Sequence, residues 1–503
     1  MSKKNIIAIL GFLIGIVFTS LVFWVYPISI GDSSSETYKR NSKSFEEDYN
    51  WVNLPDFDED EQPYELKTLN SESPITFDLR EYRENEIVIN GVNVSGQEMH
   101  ELSIGSISKD NTITIKIDGQ VNEIQTLPTF LSEYVYTNSG TDDGYYYFTY
   151  GDYLVKLSTE GEIVYYNNVG RAYDFKANET EDGEIFYSYL QHVNPQEKFP
   201  DIGYHPTKAV IMDENYRVVD EVESIIETKK VEKAPLENHD FLFIDKNHYI
   251  VSSYYPERVS NIPNDVEQNP YGTRVISPYL QEIKNNEVIW EWKGTEHTEL
   301  YELSVEHNDY TNEHTLFSDY AHFNAMDIDY EDGNILLSMR NLDAILKVNR
   351  ETGDIMWVLG GKGDEFGLEE NQKFRRQHKI TKLDDGSLLL FNNGNYLPAA
   401  PYPIIEEDDP LRDETPVTTI MKFKIDEKDK SLIEFNNLET EHFSGTRGSA
   451  QETESGSVLI GWGSGENNKE HFREVDFDTG EELFVFYPHD EDLISYRAYK
   501  FSY

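Results

Sequence analysis

The sequence predicts an all-β protein, in which a small β domain and an N-terminal transmembrane helix precede a six-bladed β-propeller. Four observations lead to this prediction. After about residue 140, a unit of turn, strand, strand, turn and strand recurs six times. Short alternating strands precede these units, and one long apolar run stands near the start of the chain. No stretch after residue 31 has the sustained periodicity of a helix.

Residues 1–30 are predicted to be a signal anchor. Lys3 and Lys4 precede Ile6–Tyr26, an almost wholly apolar run of 21 residues that is long enough to cross a bilayer. The lysines favour a cytoplasmic N-terminus, with the rest of the chain outside the cytoplasm. A cleaved signal peptide is the alternative, but its apolar region is usually shorter, and Val25–Ile28 makes a poor cleavage site. We expect a single-pass protein of the cell membrane, or a secreted protein if the segment is removed.

Residues 31–62 are predicted to be an acidic linker between the membrane and the folded part. The spacing of Asp56, Asp58 and Asp60 resembles the start of a calcium loop. Glu61, however, stands where that loop requires glycine, and Lys67 stands where it requires a bidentate glutamate. A solvated linker is therefore the preferred interpretation.

Residues 63–135 are predicted to form the small β domain. Two runs, Glu86–Val92 and Thr112–Gly119, alternate apolar and polar residues. The first contains Asn90-Gly91 and the second ends on Asp118-Gly119, and such pairs are strong signals for a tight hairpin turn.

Residues 136–503 contain the six repeated units. Four-stranded units of roughly 40–50 residues with insertions are typical of a propeller. An array of β-sandwich domains is the alternative, but it does not require the repeated order of turns and strands. An acidic insertion at 406–415 is expected to be a solvated loop. The first turns of the units are Asp143-Gly144, Asp182-Gly183, Lys246-Asn247, Asp332-Gly333, Asp385-Gly386 and Ser455-Gly456.

Composition excludes several functions. The chain has 94 acidic and 43 basic residues and a net charge of −51, which argues against nucleic acid as a partner. It has no cysteine, so disulfides, thiolate metal sites and cysteine nucleophiles are impossible. The acidic residues are dispersed, as on a solvated surface that keeps a protein soluble.

Three histidines occupy equivalent positions in the repeated units. His239, His322 and His378 each stand just before the first strand of a unit, and Asn324 and Arg340 lie on the hairpin that follows His322. Because the two ends of a hairpin meet, Arg340 is expected beside His322. The starts of the innermost strands surround the channel of a propeller, so the three histidines are expected to converge.

The residue types leave two chemical interpretations open. Three histidines suit a metal ion, as in a metal-dependent hydrolase. The arginine among them argues for an anion instead, since a guanidinium matches tetrahedral oxyanions. A neutral imidazole can also act as a nucleophile.

The ordered motifs resemble those of the bacterial aryl-sulfate sulfotransferases over roughly residues 140–503, and the small β domain also looks like the N-terminal domain of that family. The motifs are His322-x-Asn324, Ser338-x-Arg340, Thr352-Gly353-x-x-x-Trp357-x-Leu359-Gly360-Gly361, Gln377-His378 and Phe391-Asn392-Asn393-Gly394.

The resemblance implies a six-bladed propeller that moves a sulfuryl group from a phenolic sulfate ester to a phenolic acceptor. It implies no nucleotide donor, no other cofactor and no metal. His378 looks like the nucleophile that becomes a sulfohistidine, and His239, His322, Asn324 and Arg340 look like the groups that hold the sulfuryl oxygens. His239 or His322 would also transfer the proton, and the two half-reactions would follow ping-pong kinetics. A non-catalytic extracytoplasmic propeller that binds a ligand is the alternative.

Overall fold

A computed structural model describes residues 51–53, 63–193, 203–222, 235–313, 317–395, 416–463, 465–466, 470–488 and 495–503 of the chain. The predicted signal anchor and the acidic insertion 406–415 lie outside the described residues. In the part of the chain that the structure describes, every helix is too short or too polar to cross a bilayer.

The all-β prediction is confirmed. The described residues include one short α-helix, Leu300–Leu303, and a few 3-10 turns, and their other regular elements are strands. The 3-10 turns are Arg80–Tyr82, Thr129–Ser132, Gly294–Glu296, Arg340–Leu342, Gly361–Gly363 and Glu370–Gln372.

Six antiparallel sheets of four or five strands form the larger part of the structure. We number them in chain order and give the strands of each from one edge to the other. Sheet 1 contains Ala498–Phe501, Tyr145–Tyr150, Tyr153–Ser158, Ile163–Asn168 and Thr68–Asn70. Sheet 2 contains Ala172–Glu179, Ile185–His192, Thr207–Met212 and Val218–Val222. Sheet 3 contains Phe241–Asp245, His248–Val259, Thr273–Lys284 and Glu287–Lys293.

The other three sheets repeat the same order. Sheet 4 contains Phe323–Ile328, Ile335–Met339, Ala344–Val348 and Ile355–Gly360. Sheet 5 contains His378–Lys382, Leu388–Asn392, Thr419–Asp426 and Ser431–Glu439. Sheet 6 contains Ser449–Glu452, Val458–Gly461, Phe472–Val475, Glu482–Pro488 and Tyr134–Asn138.

Five of the six predicted turns lie between neighbouring strands of one sheet, whereas Asp143-Gly144 joins Tyr134–Asn138 of sheet 6 to Tyr145–Tyr150 of sheet 1. Asp332-Gly333, for example, joins Phe323–Ile328 to Ile335–Met339, and Gly333 has a φ of +74°. Glycine adopts this left-handed backbone without steric cost, which explains why the sequence marks the turn so clearly.

The six sheets pack against one another in sequence. The first strands of sheets 3, 4, 5, 6, 1 and 2 pack against each other in that order. Sheets 2 and 3 share a hydrophobic cluster that includes Phe186 and Phe241. Sheet 1 is completed by a strand from the other end of the chain, since Ala498 pairs with Phe148. This sequential packing is typical of the blades of a propeller.

Smaller sheets precede and flank these six. The predicted hairpins at Asn90-Gly91 and Asp118-Gly119 are confirmed, and all four turn residues have positive φ. A hydrophobic cluster joins this region to sheets 1 and 6. The small sheets are Trp51–Asn53, Ile75–Asp78 and Met99–Leu102; Tyr64–Glu65, Gln120–Gln125, Thr112–Ile117, Ile87–Ile89 and Val92–Asn93; and Phe443–Ser444 with Gly465–Glu466.

Candidate functional site

The predicted site residues lie where the first strands of sheets 3, 4 and 5 begin. His239 precedes Phe241–Asp245, His322 directly precedes Phe323–Ile328, and His378 opens its strand. The backbone N–H of Arg340 donates to the carbonyl oxygen of His322 at 2.9 Å, so the predicted neighbourhood of these two residues is confirmed. The three histidines, Asn324 and Arg340 are all buried.

His239 and His322 contact each other, and each is paired with a carboxylate. Their ring centroids are 5.1 Å apart, and the rings are nearly perpendicular. Nδ1 of His322 lies 2.5 Å from Oδ2 of Asp319, and Nδ1 of His239 lies against the carboxylate of Glu237. A carboxylate on Nδ1 orients the ring and stabilises its protonated form. Both pairs are therefore suited to acid–base chemistry at Nε2.

Burial decides the protonation state of His322. Removal from water lowers its pKa below the ordinary value, although Asp319 acts in the opposite direction. The ring is therefore mostly neutral at neutral pH, and an anion bound nearby would favour its protonation.

His378 is held as a neutral imidazole. Its Nδ1 lies 2.7 Å from the amide oxygen of Asn393 and 3.2 Å from the carbonyl oxygen of Arg376, and both can only accept. Nδ1 therefore carries the hydrogen, and Nε2 keeps its lone pair. Burial, followed by the charge of Arg340, holds the pKa of His378 well below its usual range. His239 and His322 act in the same direction, so all four side chains belong to one electrostatic site.

Arg340 is oriented by a buried glutamate. Its Nη1 donates to Glu306 at 2.9 Å and to the amide oxygen of Asn341 at 2.6 Å. Glu306 also pairs with Arg376, which directly precedes Gln377-His378. Burial raises the pKa of Glu306, but His307 and the two arginines outweigh it, so the pKa lies well below its usual range. The carboxylate is thus ionised, and it fixes both guanidinium groups.

Asn324 supports the neighbouring strand. Its amide nitrogen donates to the carbonyl oxygen of Gln377 at 2.6 Å. One of the two amide hydrogens is thereby used, and the other can still be donated to a ligand.

A buried charge network lies next to the site, and sequence reasoning did not predict it. Lys379 has a φ of +47° at an irregularity in its strand, and its ammonium lies 3.5 Å from Asp240. Asp240 also pairs with Lys176 at 3.3 Å and with Arg497 at 3.2 Å. Arg497 pairs with Asp174 at 3.0 Å. The network joins sheets 2, 3 and 5 to the segment before the closing strand of sheet 1.

Three carboxylates of the site were also missed. Glu237 and Asp319 stand two and three residues before their histidines, and this spacing was a readable signal. Glu306 lies in the insertion between sheets 3 and 4, and no local pattern connects it with Arg340.

The arrangement suits an anion that accepts hydrogen bonds. Several nitrogen atoms of the site make no hydrogen bond to any described residue and are available to such an anion. They are Nη2 and Nε of Arg340 and Nε2 of His239 and His322. No group of three His, Asp or Glu side chains among the described residues is placed to hold a metal ion.

Comparison with known proteins identifies the family of the chain. The model of the family described as Arylsulfotransferase (ASST) matches residues 193–474, a range that contains every predicted site residue. No curated protein matches the chain.

Several solved structures are distantly similar to it. A Bacteroides caccae protein of unknown function is 9% identical, over 72% of this chain and 100% of that one, with a TM-score of 0.38. A putative 6-phosphogluconolactonase from Bacteroides fragilis is 10% identical, over 73% and 99%, with a TM-score of 0.36. A periplasmic gluconolactonase from Pseudomonas aeruginosa is 10% identical, over 71% and 99%, with a TM-score of 0.35. At these scores the similarities carry no argument about this chain.

Proposed function

Since this chain belongs to the arylsulfotransferase family, we propose that it moves a sulfuryl group from a phenolic sulfate ester to a phenolic acceptor through a sulfohistidine on His378. One observation carries the proposal: a neutral His378, with Nδ1 protonated, shares a buried site with Arg340 and two histidine–carboxylate pairs. A nucleophile, an anion-binding group and proton carriers are the parts that this transfer requires.

In the first half-reaction, the lone pair of Nε2 of His378 attacks the sulfur atom. The N–S bond forms while the bond between sulfur and the aryl oxygen breaks, and its electron pair leaves with the phenolate. His239 or His322, as imidazolium, gives the phenolate a proton. Arg340 and the second amide hydrogen of Asn324 donate to the sulfuryl oxygens as charge develops.

The second half-reaction reverses these steps with a new phenol. The acceptor oxygen attacks sulfur, the N–S bond breaks, and its electron pair returns to Nε2. The same histidine, now neutral, takes the proton of the acceptor hydroxyl. The backbone N–H of Arg447, 3.2 Å from Nε2 in the free site, can donate to a sulfuryl oxygen of the intermediate.

The proposal also covers the architecture and the location. The six sheets would be six blades around one channel, with the site at one end of the channel. Residues 1–30 would anchor the chain, so that the catalytic part faces the outside of the cytoplasm. No nucleotide donor and no metal takes part in the proposed reaction.

The test uses the full chain, purified in detergent. It is incubated with 4-nitrophenyl sulfate, with and without phenol, while nitrophenol release and protein mass are followed. We expect release that depends on phenol, and a mass gain of one sulfuryl group that His378→Asn abolishes. Release that does not depend on phenol would indicate a sulfatase instead. Absence of both release and adduct with any aryl sulfate would favour the non-catalytic binding protein.

A further inference from the structure

Two arginines beside the site have no carboxylate partner among the described residues, namely Arg171 and Arg447. This is notable in a chain with 94 acidic residues, in which Arg340, Arg376 and Arg497 are all paired. A guanidinium without a carboxylate partner keeps its charge, and the donors that no other side chain uses, for a ligand.

Arg171 and Arg447 lie close to the same two aromatic side chains. Nη2 of Arg171 is 3.1 Å from Nε2 of His205, and its guanidinium carbon is 5.4 Å from the ring centroid of Tyr173. Burial raises the pKa of Tyr173, and the charges of Arg171 and Arg447 oppose this effect. Burial and neighbouring charges, those of both arginines included, lower the pKa of His205 to about 4. His205 is thus neutral, and the two guanidinium groups supply the positive charge.

Arg447 connects this cluster with the nucleophile. Its backbone N–H donates to Nε2 of His378 at 3.2 Å. The backbone of Arg447 therefore lies beside the nitrogen that would receive the sulfuryl group. Its side-chain charge acts on Tyr173 and His205. A ligand bound at Nε2 therefore has a guanidinium within reach of its far end.

Two tyrosines connect the cluster with the site through contacts between their rings. The rings of Tyr173 and Tyr496 are perpendicular with centroids 5.8 Å apart, and the ring of Tyr496 lies 6.0 Å from that of His239. Both hydroxyl groups are buried; that of Tyr496 has no hydrogen-bond partner among the described residues, and that of Tyr173 interacts with the guanidinium of Arg171. A buried hydroxyl without a partner is costly, so the hydroxyl of Tyr496 indicates a ligand that supplies one.

We infer that the cluster of Arg171, Arg447, Tyr173 and Tyr496 binds a second anionic group on the substrate. The aryl ring would lie against the two tyrosines, with its sulfate or hydroxyl group at His378. A carboxylate or another anionic substituent on the ring would accept from the two guanidinium groups. The preferred substrates would be phenols and phenyl sulfates that carry such a substituent. This inference rests on the proposed function.

The test measures acceptor preference with 4-nitrophenyl sulfate as donor. The 3- and 4-hydroxybenzoates are each compared with the uncharged hydroxybenzamide of the same geometry. We expect the full chain to prefer at least one carboxylate by about tenfold in kcat/KM, and Arg171→Met and Arg447→Met to remove that preference. The intrinsic reactivities of the acceptors cancel, because the same ratio is compared between variants. High salt should also weaken the preference.

Matched variants separate a binding role from a change in overall charge or fold. Arg83→Met removes an exposed arginine that pairs with Glu98, and it should keep the preference. Arg171→Lys keeps the positive charge and should therefore retain much of the preference for the carboxylate acceptor. Equal use of acid and amide by the unmodified chain, or a preference that survives in both methionine variants, would overturn the inference.

A binding measurement keeps failure of this inference distinct from failure of the proposed function. If no donor releases nitrophenol, the proposed function fails, and calorimetry with the hydroxybenzoates and hydroxybenzamides decides the inference alone. Tighter binding of a carboxylate, lost in Arg171→Met, would support the anionic subsite. Equal binding of acid and amide would reject it.

Discussion

The amide oxygen of Asn393 lies 2.7 Å from Nδ1 of His378, and this contact fixes which nitrogen of the imidazole keeps its lone pair. The side-chain amide of Asn393 cannot rotate by 180°, because its nitrogen donates to the carbonyl oxygens of Ser444 at 2.6 Å and Arg447 at 2.9 Å. Its oxygen must therefore face the imidazole, which places the hydrogen on Nδ1 and the lone pair on Nε2.

Replacement of this amide should impair the nucleophile without removing it. In Asn393→Ala, the wrong tautomer of His378 becomes accessible, and we expect kcat to fall by roughly two orders of magnitude. The measurement is the rate of nitrophenol release in a single turnover, together with the mass of the adduct. Asn392→Ala, next to it in the chain, is the control for local packing. An unchanged single-turnover rate would contradict the role of Asn393.

Glu306 should be required for the orientation of Arg340. In Glu306→Gln, the charge that holds Arg340 and Arg376 is lost, and kcat/KM for the donor should fall by roughly 100-fold. Breaking these buried pairs should also lower the free energy of unfolding by about 3 kcal/mol. Donor kinetics and denaturant titration measure the two effects. Glu302→Gln, at an exposed position in the same insertion, should change neither. A loss of stability with normal kcat/KM would show that Glu306 is purely structural.

The two histidine–carboxylate pairs can be distinguished by the leaving group. Phenolate needs a proton as it leaves, whereas nitrophenolate needs it far less. The variant of the pair that supplies the proton should lose about 10²- to 10⁴-fold in rate with phenyl sulfate and much less with 4-nitrophenyl sulfate. Asp319→Asn and Glu237→Gln are the two variants to compare. If both donors slow equally in both variants, neither pair acts as the acid.

Chelation tests the alternative of a metal-dependent hydrolase. The proposed transfer uses only side chains and substrate, so activity should be unchanged after prolonged treatment with EDTA and removal of the chelator. Metal analysis of the purified chain accompanies the assay. Loss of activity on chelation, with recovery when one metal is added back, would contradict the proposed sulfohistidine mechanism.

A histidine outside the site should make stability depend on pH. Burial lowers the pKa of His471 to about 4, despite its contact with the carbonyl oxygen of Thr149, and the ordinary value is near 6.5. The unfolded chain therefore binds this proton first as the pH falls. The stabilising contribution is fully present above pH 6.5 and is lost towards pH 4, by about 1.4 kcal/mol per pH unit.

His471→Gln isolates that contribution, since glutamine keeps a donor for Thr149 but does not titrate. Denaturant titrations at pH 7 and pH 5 should show a drop in stability that is about 2 kcal/mol smaller in the variant than in the unmodified chain. Equal drops in the two proteins would show that His471 does not titrate in this range.

Local sequence patterns predicted what local chemistry determines. The hairpins at Asn90-Gly91 and Asp118-Gly119 follow from the backbone freedom of the turn residues, and the pairing of Arg340 with His322 follows from hairpin geometry. Contacts between distant segments left no such signal. Arg497 reaches Asp174 only because a strand from the far end of the chain completes sheet 1. Glu306 reaches Arg340 because an insertion folds back over the site, and no spacing in the sequence encodes that path.

Sheet 1 cannot be completed until its strand from near residue 500 is available to pair with Tyr145–Tyr150. Until Ala498–Phe501 has been synthesised, Tyr145–Tyr150 has an unpaired edge, which a neighbouring unfinished chain can occupy instead. Arg497, which donates to the carbonyl oxygen of Asn324 at 2.9 Å, arrives with the same segment. The candidate site is therefore complete only when this segment is in place, and we expect a chain cut before this strand to lose the proposed activity and to aggregate.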